Sequence, residues 1–177
     1  MDLQEFSSEM LYFQDELSPE IEMLINKAAD EYGPKSEQYL LKAYAMADSD
    51  LTVLIGLYRF YYYQNRYQDA LWVADKVMQV VGDKIEFPDD WKKITMAYVA
   101  EGVGHSFCMV RLYFFALKAA GYLNLRLSNF ELGREMVEKV VAMDSADRMG
   151  AKLLLEVLDN NKADVLSFPQ KQKLEAC

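Results

Sequence analysis

Apolar residues between Asp50 and Gly82 recur at helical spacing in two separate runs. Leu54, Leu57, Tyr58 and Tyr61 fall three and four apart, and Tyr67, Ala70, Leu71, Ala74, Val77 and Met78 form a second stripe. A stripe of this period is the buried face of an α-helix. The polar triplet Gln64-Asn65-Arg66 separates the runs, so the segment predicts two antiparallel helices with small Ala70 at their close approach. The pattern returns after a constant shift of 63 residues, with Leu117, Ala120, Gly121 and Asn124 followed by Phe130, Gly133, Val137 and Val140. A third, degenerate copy occupies about 17–50, where Leu40, Ala43 and Tyr44 match Ala74, Val77 and Met78 at a shift of 34. Its small residue is Ser36 and its turn is Tyr32-Gly33-Pro34.

The same reading covers the rest of the chain as one domain over 1–159. Leu3, Phe6, Met10, Phe13 and Leu17 alternate three and four apart, which predicts a helix over 2–16 with a narrow apolar seam. That helix either caps the first repeat or pairs with a partner, a second copy of the chain included. Ser18-Pro19 has the form of a helix start, Ser as cap and Pro in the first turn. Helices are expected over about 19–32, 36–48, 51–64 and 67–81. A loop, GDKIEFPDDWKK, then leads into a short helix from Trp91 to about Ala100. Glu101 to Gly104 is expected to break it before a long helix from Ser106 to Leu127. Residues 85–113 form an insert too short for a further repeat, serving either packing or binding. Ser145 is expected to cap a last helix over 146–159 with Ala151, Leu154, Leu155 and Leu158 on one face, closing the array. Residues 160–177 lose periodicity and read as a mobile tail.

These paired stripes resemble the tetratricopeptide repeat (TPR), a helix-turn-helix unit of about 34 residues. The resemblance covers roughly 17–84 and 114–147 and implies an all-α, TPR-like helical repeat of about three units. The chain departs from the family pattern at Tyr58 and Asn124, and at Val81-Gly82 and Asp144-Ser145 where a terminal Asp-Pro is usual. In that family the side of the first helix about 100° from the core stripe lines a concave groove. Here the side carries Thr52, Ile55, Arg59, Tyr62 and Tyr63, and in the third repeat Phe115, Lys118, Tyr122, Leu125 and Arg126. Ile55, Arg59, Tyr62, Tyr63, Phe115, Lys118, Tyr122 and Arg126 are thus the expected partner-binding residues, unless the insert covers them. Leu3, Phe6, Met10 and Phe13 are the expected self-association residues. Aromatic and Arg side chains are the usual anchors of protein interfaces. The segments YRFYYYQNRYQDAL, FPDDW and LYFFALKAAGYLNLRLSNFELG are also loosely similar to small TPR proteins encoded among bacterial nitrogen-fixation genes. Small acidic repeat proteins with an N-terminal helix further resemble class II chaperones of type III secretion.

Charge sharpens the picture. Residues 1–50 hold 12 acids and 3 bases, while 51–177 hold 16 of each, so the net charge of −9 lies in the first fifty residues. Nucleic acid is a disfavoured partner, because binding it needs a basic surface that displaces counterions. A partner protein or peptide segment is the natural expectation, with a homodimer as one form of it. The opening MDLQEFSSEM is acidic and does not read as a signal peptide, and no run reaches a membrane span of about 18 apolar residues. Cys108, expected buried, and Cys177 lie far apart and suit a reducing cytoplasm.

Candidate chemistry is sparse. The single histidine, His105, is expected at a helix start in a structural role. Gly102-Val103-Gly104 lacks the Lys-Ser/Thr of a phosphate loop. No spacing of His, Cys or acids suggests a metal, and no cofactor is implied. The sequence therefore predicts a binding module, an adaptor, assembly factor or chaperone, with a structural homo-oligomer built on the N-terminal seam as the alternative, and not an enzyme.

Overall fold

The computed structural model describes residues 17–31 and 33–166, and those residues are all-helical with no strand among them. The elements are α1 (Pro19–Asp30), α2 (Pro34–Met46), α3 (Leu51–Tyr63), α4 (Tyr67–Lys84), a 3-10 turn at Trp91–Lys93, α5 (Met96–Arg126), α6 (Phe130–Met143) and α7 (Lys152–Leu166). Each helix packs chiefly on its neighbours in the chain, the arrangement of a helical repeat. The seam at Leu3, Phe6, Met10 and Phe13, Tyr32 of the first turn, and residues 167–177 lie outside the described residues.

The helix starts follow from local chemistry. Ser18 Oγ accepts from the Ile21 N–H at 3.4 Å, and Pro19 holds the first position of α1. Asp50 Oδ1 accepts from the Thr52 and Val53 N–H groups at 2.8 and 3.0 Å, capping α3. Ser36 is buried and its hydroxyl donates to the Ala28 carbonyl at 2.7 Å, tying α2 to α1.

The repeat of 63 residues reappears in the backbone. Helices α3 and α5 end at Tyr63 and Arg126, and α4 and α6 begin at Tyr67 and Phe130. Both turns hold a non-glycine residue at positive φ, Asn65 at 57° and Ser128 at 67°. In one, the Asn65 and Arg66 N–H groups donate to the Tyr62 and Tyr61 carbonyls at 3.0 and 2.9 Å. In the other, Ser128 and Asn129 donate to Leu125 and Asn124 at 3.1 and 2.8 Å. These bonds satisfy carbonyls left open at a helix C-terminus. The predicted stripe residues Leu54, Leu57, Tyr58, Leu117, Ala120, Ala70, Ala74, Val77, Val137 and Val140 are fully buried.

Several expectations need correction, among them the helix expected from Trp91 to about Ala100, which is a 3-10 turn over Trp91–Lys93 followed by the start of α5 at Met96. The break near residue 102 sits instead at Ser106, with φ −163° and ψ 111° inside α5. Ser106 Oγ accepts from the Met109 N–H at 3.3 Å, so the hydroxyl restarts the helix where Gly102 and Gly104 do not interrupt it. Gly102 lies within the helix where Phe87 packs closely onto it: an added Cβ would meet Phe87 Cε1 at 2.8 Å. His105 consequently ends the first segment of α5 and is exposed, not at a helix start. Ser145 does not cap the last helix. Asp147 does, its Oδ1 accepting from the Ala151 and Lys152 N–H groups at 2.9 and 3.1 Å. Helix α7 then runs through 160–166, which the sequence reads as tail. Cys108 is half-buried, not buried.

The insert is a packing element where it is described. Ile85, Phe87 and Ile94 are buried, and Phe87 meets the rings of Tyr113 and Phe114 at 5.0 and 6.1 Å. Lys92 reaches Glu135 at 2.6 Å, and Lys139 donates to the Lys92 carbonyl at 2.8 Å, fastening the 3-10 turn to α6. Helix α5 is long and apolar enough to cross a membrane by length and composition, but most of its apolar stretch is buried in this fold.

Candidate functional site

The ends of α3 and α5 meet in a cluster of rings. Tyr62 lies at its centre, stacked on Tyr58 at 5.9 Å and facing Tyr63, Tyr67 and Tyr122 at 5.9, 6.3 and 6.3 Å. Arg126 closes the cluster: its Nη1 donates to the Tyr122 hydroxyl at 2.8 Å and its guanidinium lies 4.5 Å from the Tyr67 ring centre. A guanidinium against aromatic faces keeps its charge available while losing rotamer freedom. Tyr63 is 66% exposed and Arg126 is exposed, so the cluster offers an aromatic and a cationic group to solvent.

Beside it a cleft of about 380 Å³ opens between α1, α2 and α3, lined by Ile25, Ala28, Gly56, Arg59, Phe60 and Tyr63 among others. Gly56 keeps its floor low, since a Cβ there would already meet Leu40 Cδ2 at 3.2 Å. No residue of the 85–113 insert lines this cleft. Tyr63 belongs to both the cleft and the ring cluster, which makes them one continuous surface along α3.

Of the eight expected partner-binding residues, Tyr62, Tyr63, Tyr122 and Arg126 come together in the cluster, and Arg59 lines the cleft. Ile55, Phe115 and Lys118 are buried, which corrects their expected place on an open groove. Ile55 and Phe115 pack into the core. Lys118, 4% exposed, turns inward and its Nζ donates to the Met149 carbonyl at 2.6 Å, pinning the segment before α7. Tyr67 and Phe60 are surface contributors that the stripe reading does not assign to the groove. Tyr67 begins α4 directly after the turn, and its hydroxyl donates to Asn65 Oδ1 at 2.7 Å. A tyrosine immediately after a polar turn was the available signal.

A second cavity, about 490 Å³, lies between α4, the 87–91 loop and α6, with Asp75, Asp83 and Asp89 in its wall beside Phe87, Trp91 and Tyr113. Partial desolvation against this wall pushes the Asp75 carboxyl up to about 6, although the residue keeps an exposed edge. Burial, and then the charge of Asp90, raises the Tyr113 hydroxyl. No group of three or more His, Cys, Asp or Glu side chains that could hold a metal ion occurs among the described residues.

No family model matches the chain, and no solved structure matches it. It is 46% identical over 176 residues to an uncharacterized 19.8 kDa protein in the nifW 5′ region of Azotobacter chroococcum mcd 1, a match spanning 99% of this chain and 98% of that protein. Identity at that level along both full lengths places the chain in the family of this Azotobacter protein.

Proposed function

We propose that the chain is an accessory protein of nitrogen fixation that binds a segment of another protein, performing no chemistry of its own. Its helix pairs are read as TPR units whose first helices, α1, α3 and the second segment of α5, form the binding side. The observation that carries the binding reading is the exposed Tyr63–Arg126 edge of the ring cluster, continuous with the apolar cleft beneath Arg59. Such a surface suits a segment with apolar side chains and an acidic residue opposite Arg126. The link to nitrogen fixation rests on the genomic position named for the Azotobacter relative.

The test uses the full chain, tagged and returned to nitrogen-fixing cells that lack it. Loss of the gene should slow growth on dinitrogen and leave growth on ammonium unchanged. The double variant Tyr63→Ser with Arg126→Glu should lose the protein that the wild type captures. Its melting temperature should change little, because exposed substitutions usually cost less than about 0.5 kcal/mol each. Equal growth on both nitrogen sources removes the pathway assignment, and full capture by the double variant removes this surface as the binding site.

A further inference from the structure

A third hollow lies at the other end of α5, about 16 Å along the helix from Tyr122 by the rise per residue. It has a volume of about 250 Å³ and is walled by Val99, Val103, Phe107, Phe114 and Met143, with Arg111 and Arg148 among its lining residues. Val103 and Phe107 are 41% and 45% exposed, so the apolar wall opens to solvent.

Arg111 is the unusual member. Its Nε is buried and has no hydrogen-bond acceptor. Neither Arg111 nor Arg148 forms an ion pair among the described residues. The guanidinium is instead held between two rings, 5.9 Å from the centre of Phe107 and 5.7 Å from that of Phe115. The single acid of the wall, Asp144, is engaged by the backbone of the same wall: its Oδ2 accepts from the Met149 N–H at 2.7 Å. A buried guanidinium donor without an acceptor is costly, and the planar fork of an arginine matches an oxyanion.

We propose that this hollow is a binding site for a carboxylate carried on a short apolar group. The carboxylate accepts from the Arg111 fork, with Arg148 adding a second positive charge. The apolar part lies on Val99, Val103 and Phe107. The hollow holds roughly eight water-sized groups, which is the size of a short-chain acid or of one apolar residue at a peptide C-terminus. Those two sources share the chemistry that the site reads.

The probes are hexanoate, its neutral counterpart hexanol, and the peptide acetyl-Ala-Ala-Leu-Leu with a free or an amidated C-terminus. Binding is followed by the NMR signal of the Arg111 Nε–H, assigned by its loss in Arg111→Met. Hexanoate and the free-acid peptide should shift that signal saturably, while hexanol and the amide should not. Tighter binding of the peptide assigns the site to a chain terminus, and tighter binding of hexanoate to a free acid. By calorimetry, Arg111→Met should weaken the better probe by about tenfold, the usual size of a charge-assisted hydrogen bond. Arg148→Gln, on an exposed position, should weaken it by about threefold and serves if Arg111→Met does not fold. The proposal is overturned if neither acid moves the signal, if hexanol binds as tightly as hexanoate, or if both variants retain full affinity.

Discussion

Hairpins α3–α4 and α5–α6 carry the same turn over different helix contacts. Beneath the second turn, Gly121 faces Gly133: a Cβ on Gly133 would lie 2.7 Å from the Gly121 carbonyl and 2.9 Å from the Leu125 nitrogen. At the equivalent positions 63 residues earlier stand Tyr58 and Ala70, both fully buried. One hairpin thus brings backbone against backbone, and the other fills its contact with a phenol ring. The turns still agree in their positive φ and in both backbone hydrogen bonds. Turn geometry is therefore set by the few residues at the helix ends, and is separable from the packing that holds the helices together.

Exchanging the two solutions should break the second hairpin most severely. Gly121→Tyr places a ring where even a Cβ would meet Val137 Cγ2 at 2.9 Å and the Gly133 carbonyl at 3.1 Å. We expect a loss of about 3 kcal/mol or more, read by urea unfolding. Gly133→Ala presses on backbone atoms in the same contact and should cost about 1–3 kcal/mol. An unchanged unfolding midpoint for Gly121→Tyr would mean that the helices separate freely and that the contrast has no energetic content.

A second exchange concerns Lys118, which stands where the first hairpin has Ile55. Lys118→Ile imports the apolar solution but leaves the Met149 carbonyl without its 2.6 Å donor. The expected cost is about 1–3 kcal/mol, with faster amide exchange confined to residues 144–151. Stability equal to wild type would show that the buried ammonium is replaceable by packing alone.

The smallest effect belongs to Asp75, whose counterpart Glu138 pairs with Arg134 at 2.7 Å in solvent. The folded Asp75 carboxyl is raised to about 6 from an ordinary 3.8, so the folded state holds this proton more tightly than the unfolded one. Its contribution is greatest below pH 4 and is lost as pH rises to about 6. Asp75→Asn should remove that slope and raise stability at pH 7. The residue keeps much of its solvent contact, so the gain should be under about 1 kcal/mol. A melting temperature that differs from wild type equally at pH 4 and pH 7 would exclude titration as the cause.

Helix pairing was legible because Leu54, Leu57, Leu117 and Val137 repeat with one period and are fully buried. The equivalence of α3–α4 with α5–α6 could be read to the residue, since no gap interrupts the shift. The candidate surface was only half legible. A helical wheel places Ile55, Arg59 and Lys118 on one side, but it cannot tell which neighbour each will meet. Lys118 is long enough to find a carbonyl 31 residues away, and that choice depends on where the segment before α7 comes to rest. Arg111 was passed over although Phe107 and Phe115 stand four residues to either side of it on one helix, because that spacing alone does not show that its Nε is left buried without an acceptor.

Because Ser106 restarts α5 with its own hydroxyl, the two segments share no rotational phase. Adding one residue to a continuous helix turns everything beyond it by about 100°. In α5 that rotation would stop at Ser106, leaving Met109, Leu112, Leu117 and Leu123 seated in the core. The chain can therefore change length over 96–105 without re-registering the hairpin that follows, whereas the same insertion at 110–120 would turn Gly121 away from Gly133 and Val137 of α6.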